Sequence, residues 1–73
     1  MMNYITQTHL YTLASTGLGV RRVKTFLSRE AANHYMYKQV AKHNLTIEEV
    51  WNDNHDKTYN CTNNVVFYIQ RAR

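Results

Sequence analysis

The segment LTIEEVWNDNHDKTYNC, residues 45–61, decides the architecture. Thr46-Ile47-Glu48-Glu49 has the spacing of a capping box, a Thr followed three residues later by a Glu, and on that basis it starts a second short helix. The same residues also alternate as a strand. Ile47 to Trp51 then runs into the Asp/Asn-rich turn Asp53-Asn54-His55-Asp56, and Lys57 to Cys61 pairs back against it. A helix beginning at Thr46 has only one or two turns before Asn52-Asp53-Asn54 interrupts it, so the strand is preferred. It places Trp51 and Tyr59 near each other across a hairpin. The helical alternative keeps a helix-turn-helix open.

Downstream, Thr62-Asn63-Asn64 signals a turn. Val65-Val66-Phe67-Tyr68-Ile69 follows, apolar on both parities, the pattern of an interior strand covered on two sides. Upstream, Ser28 has the hydroxyl of a helix N-cap and Glu30 places a negative charge in the first turn. Nothing breaks the chain until Asn44, which suits a left-handed C-terminal cap. At about 100° per residue, Ala32, Met36, Gln39, Val40 and His43 gather on one face of this helix. Glu30, Ala31, His34, Lys38, Ala41 and Lys42 gather on the other, with Tyr35 and Tyr37 on the flanks.

Nearer the N-terminus, Asn3 to Leu13 is rich in Thr, Tyr, Ile and Leu and is expected as a strand. Small residues Ala14 to Gly19 make a loop, and Val20 to Phe26 returns as a second strand, antiparallel to the first. The expected fold is therefore α+β. It is a single domain, 1–73, with an antiparallel sheet of 4–5 strands and one α-helix packed on one face, in the order β-β-α-β-β-β. One helix covers only part of such a sheet, so the other face is polar or meets something.

Composition narrows the classes of function. A chain of 73 residues buries roughly 60% of the surface it exposes unfolded, which leaves little room for a preorganised catalytic pocket. The single cysteine, Cys61, excludes an internal disulfide and favours a reducing, cytoplasmic setting, the host cytoplasm if the gene is carried by a phage. No apolar run approaches the length of a membrane span, and Met1 to Leu10 lacks the apolar core of a signal peptide. The four histidines and Cys61 fit no zinc spacing, so no metal and no cofactor is expected. The GLG of residues 17–19 lacks the later glycine of a phosphate-binding loop.

Nine Lys and Arg against five Asp and Glu give a net charge of +4, which favours a polyanionic or acidic partner. Arg21, Arg22 and Lys24 lie on the second strand, Lys38 and Lys42 on the outer side of the helix, and Arg71 near the C-terminus. Tyr37, Trp51, Tyr59 and Tyr68 provide more large rings than so small a core needs, and Tyr, Trp and Arg are the residues of interface centres. These ten residues are the expected binding set, sited on the uncovered sheet face or the flank carrying Tyr37. The function expected is a small non-enzymatic binding protein of phage or mobile-element type. It would inhibit or regulate a larger host protein or nucleoprotein, a defence complex included, by steric docking. The alternatives are a small basic nucleic-acid-binding protein, helix-turn-helix if 46–52 is helical, and a homodimer joined through its sheet.

Overall fold

The computed structural model describes residues 10–19 and 23–72. Five strands and one helix follow in the expected order: β1 (Tyr11–Thr16), β2 (Val23–Phe26), α1 (Arg29–Lys42), β3 (Ile47–Asp53), β4 (Asp56–Cys61) and β5 (Val66–Arg71). All strand pairs are antiparallel and the sheet order is β2-β1-β5-β4-β3. Residues 47–53 are a strand, which removes the helix-turn-helix alternative. The first strand continues to Thr16, three residues into the expected loop; its expected residues 3–9, and residues 20–22 of the second, lie outside the described residues.

Each connection has a local cause. Ser28 caps α1, its Oγ accepting from the Ala31 N–H at 3.1 Å. At the other end Asn44 takes φ 57°. The Leu45 N–H then donates to the Val40 carbonyl at 2.9 Å and that of Asn44 to Ala41 at 3.2 Å. This is a Schellman closure, with Leu45 and Val40 both packed on the core. Helix α1 carries the chain from one edge strand, β2, to the other, β3. Asn54-His55 is the two-residue loop of the β3–β4 hairpin, with Asn54 at φ 54°. Between β4 and β5 the short helical turn Thr62–Asn64 has Asn63 and Asn64 at φ 61° and 60°, the positive pair of a primed hairpin turn.

Gly17, in the β1–β2 connection, adopts φ +92°, and a Cβ there would sit 2.7 Å from the Asn64 carbonyl oxygen. Only glycine lets this loop lie against the β4–β5 turn.

The core lies on one side of the sheet. Leu13, Tyr59, Cys61, Val65, Phe67 and Ile69 meet Ala32 and Met36 of α1, which crosses β1, β2 and β5. The apolar face of α1 is narrow: only Ala32 and Met36 are fully buried, and His43, expected on that face, is exposed.

Two expectations need correction. The short loop sets Asp53 opposite Asp56, so Tyr59 pairs with Val50 and Trp51 pairs with Thr58. Tyr59 and Trp51 therefore point to opposite faces, because a one-residue difference in register changes the face. β5 is the central strand, but among the described residues it is covered on one side only: Phe67 and Ile69 are buried while Tyr68 and Gln70 are exposed.

Candidate functional site

The register builds a continuous line of side chains across the face that the described residues leave uncovered. Val23 pairs with Ala14, Ala14 with Tyr68, Tyr68 with Thr58, and Thr58 with Trp51. The line crosses all five strands and includes three exposed large side chains: Val23 at 67%, Tyr68 at 36% and Trp51 at 59%. Beside it run Thr25, Thr12 and Gln70 on one flank, and Thr16, Val66, Asn60 and Glu49 on the other. The face is an apolar and aromatic ridge bordered mainly by Thr, Gln and Asn, with Val66 on one border and carboxylates only toward the β3–β4 end.

A β-bulge sharpens this division. Ile47 pairs with Cys61 and Glu49 with Asn60, which leaves Glu48 as the extra residue. The extra residue returns Ile47 to the helix side, where it packs against the core, and leaves Glu49 on the open face. β3 itself is exposed almost throughout, and Val50, on its helix-side parity, remains 43% exposed because α1 does not reach it. The bulge and its glutamates also make this edge a poor template for another strand.

Charge divides between the two layers. Lys24, Arg29, Lys38, Lys42, Lys57 and Arg71 all belong to α1 or to the helix-covered side of the sheet. Lys24 Nζ stands 4.6 Å from the Tyr35 ring centroid and Lys57 Nζ 5.7 Å from that of Tyr59. The Arg29 guanidinium lies 5.5 Å from the Tyr11 ring centroid and donates to the His55 carbonyl at 3.2 Å, tying the start of α1 to the β3–β4 turn. The acids concentrate on the β3–β4 hairpin as Glu48, Glu49, Asp53 and Asp56, with Glu30 alone on the helix. Asp56 is occupied structurally: its Oδ1 accepts from the Arg71 N–H at 3.3 Å.

The ten expected binding residues therefore separate. Trp51 and Tyr68 come together on the open ridge. Lys24 and Lys42 meet at a cleft on the opposite side of the sheet, between β1, β2 and the end of α1. Tyr37 and Lys38 are exposed on α1, and Arg71 is half-buried at the end of β5. Arg21 and Arg22 lie outside the described residues.

Tyr59, expected in the binding set, is placed in the core, 2% exposed. Its hydroxyl donates to Asn33 Oδ1 at 2.8 Å, and its ring meets the edge of Tyr37 with centroids 6.1 Å apart. Burial, assisted by neighbouring Tyr37, raises its pKa above the ordinary phenol value. Burial also raises that of Cys61, with the Glu48 charge adding to it, so this thiol is held neutral and enclosed.

Val23 was missing from the expected set. Its parity separates it from Lys24, but only the β1–β2 and β1–β5 registers put it in line with Tyr68. Among the described residues no helix is long and apolar enough to cross a membrane, and no group of three His, Cys, Asp or Glu side chains is placed to hold a metal. Compared with known proteins, the chain matches no family model, no curated protein and no solved structure.

Proposed function

We propose that this chain is a small non-enzymatic binding protein that docks through its open sheet face onto a larger protein and acts by covering part of that protein's surface. One observation carries the proposal. The central strand β5 is apolar on both sides, and the described chain covers only one of them, leaving Tyr68 in a ridge with Val23 and Trp51. Tyr and Trp offer large contact area at low cost in side-chain freedom, and such residues dominate the energy of interfaces.

Size and charge argue for the kind of partner. Five strands about 4.8 Å apart and six residues long present roughly 500 Å² in projection. Two copies face to face would bury about 1,000 Å², well below what permanent homodimers use. A larger protein can instead enclose the ridge and the exposed edge strand β3 together. Glu49 and Asp53 stand at that side of the face, so the fitting surface is apolar at its centre and cationic at its β3 rim. A nucleoprotein of the host, if the chain is phage-encoded, offers such cationic surface. Nucleic acid itself fits the open face poorly, since every described Lys and Arg lies on the other side and phosphate contact depends on them.

The test compares affinity capture from host lysate by the native chain, by Trp51→Ala/Tyr68→Ala and by Lys38→Ala/Lys42→Ala, with and without nuclease. The expected result is a protein retained by the native chain and the lysine variant, unaffected by nuclease, and lost from the ridge variant. Capture that depends on the lysines or on nucleic acid would overturn the proposal.

A further inference from the structure

We infer that the cleft between the end of α1 and strands β1 and β2 is a binding site for a small organic anion, a molecule with an apolar body and one phosphate or carboxylate head. The cleft has a volume of about 280 Å³, the scale of a compact ligand, and lies on the opposite side of the sheet from the docking ridge. Its lining combines apolar and cationic side chains. Leu13 and Phe67, 4% and 1% exposed, belong to the core and form the floor. Tyr35 and Leu18 add to the lining, and Ser15 and Gln39 supply uncharged hydrogen-bonding groups.

The rim is cationic and comes from two elements. Lys24 arrives from β2, while Lys42 and His43 arrive from the end of α1. Among the described residues no Asp or Glu lines the cleft. Two ammonium groups converging on one concavity repel each other, and an anion between them converts that repulsion into attraction. Lys24 is further positioned by the Tyr35 ring, 4.6 Å from its Nζ.

The C-terminus of a helix ordinarily repels anions. Here three of the last four carbonyls are already engaged: Gln39 accepts from the His43 N–H at 3.0 Å, Val40 from Leu45 at 2.9 Å and Ala41 from Asn44 at 3.2 Å. That closure reduces the negative field at the cleft, and Lys42 opposes what is left.

The test is a titration of the ¹⁵N-labelled full chain at neutral pH and low salt, using phenyl phosphate and, in a second arm, phenylacetate. Inorganic phosphate and phenol serve as half-ligands. The expected result is saturable movement of the Ser15, Lys24, Gln39 and His43 amides for at least one of the two anions, with Trp51 and Tyr68 unmoved. The responding arm identifies the head group. Each half-ligand binds at least about tenfold more weakly, a factor worth about 1.4 kcal/mol. Lys24→Met/Lys42→Met keeps most of the length of both unbranched side chains and removes both charges, so its melting temperature stays near the native one while affinity drops by about tenfold or more. No saturable movement with either anion overturns the inference, as does equal affinity in the double variant. Movement spread over Lys38 and other exposed lysines does so too, because it reports unspecific ion pairing.

Discussion

Replacing Gly17 with alanine tests the junction that holds the first hairpin against the rest of the sheet. The added Cβ meets the Asn64 carbonyl oxygen at 2.7 Å and the Val65 Cα at 3.1 Å, and both are backbone atoms that cannot rotate away. Gly17 also sits at φ +92°, which an L-residue adopts at a cost of about 1–2 kcal/mol. Gly19 supplies the internal control. It has φ +83° but nothing within 4 Å of its would-be Cβ, so Gly19→Ala incurs the conformational cost alone. Relieving the overlap at Gly17 requires the loop or the β4–β5 turn to shift, a distortion of the overpacking kind that adds about 1–3 kcal/mol. The expected loss is therefore about 2–5 kcal/mol for Gly17→Ala against about 1–2 for Gly19→Ala. A 73-residue domain has about 4–11 kcal/mol in total, so the first change removes a large share. At about 4–8 °C per kcal/mol for a domain of this size, thermal unfolding followed by circular dichroism separates the two variants by several degrees at least. Equal melting temperatures would refute the close packing of this loop on the β4–β5 turn.

Other consequences are more local. Tyr59→Phe removes a hydroxyl that donates to Asn33 Oδ1 at 2.8 Å and leaves the ring in place, so chemical denaturation should show a loss of about 1 kcal/mol. A change near zero would mean that the bond contributes nothing beyond its replacement by water. Stability should also fall in alkali. The pKa values of Cys61 and Tyr59 are raised by burial above their ordinary 9.0 and 10.0, so the folded state holds these protons more tightly than the unfolded state. Their contribution is complete below the unfolded values and is lost as pH rises through the folded ones. Denaturation midpoints should decline above about pH 9, and Cys61→Ala should remove the earlier part of that decline. A flat profile to pH 11 would contradict the buried positions of both groups.

The fold was largely legible because its punctuation is chemical. Ser28 and Asn44 bound the helix, and Asn54, Asn63 and Asn64 are residues that tolerate the positive φ their turns require. The capping-box pattern at Thr46 was the main competitor. It lost because Thr46 is tied to the β4–β5 turn, its N–H donating to Thr62 Oγ1 at 3.1 Å and its carbonyl accepting from the Thr62 N–H at 2.9 Å. The candidate site was less legible. That β1 pairs with β5 is a long-range fact, and only that pairing lines Val23 up with Tyr68 and Trp51. The rings of Tyr59 and Tyr68 look alike in sequence, and Tyr68 lies in a strand apolar on both sides, whose parity does not say which side the helix takes. Lys24 and Lys42 belong to the expected binding set from separate elements, and that both line one cleft depends on how α1 crosses β1 and β2.

The docking proposal is tested most directly at Trp51, the only tryptophan in the chain and 59% exposed on the ridge. In the isolated chain its fluorescence should be that of a wetted indole, readily quenched by acrylamide. In complex with the captured partner, labelled with a non-fluorescent tryptophan analogue, the emission should shift to the blue and quenching should fall severalfold. Emission and quenching unchanged in a fully formed complex would show that the partner sits elsewhere, and the open face would lose its assigned role.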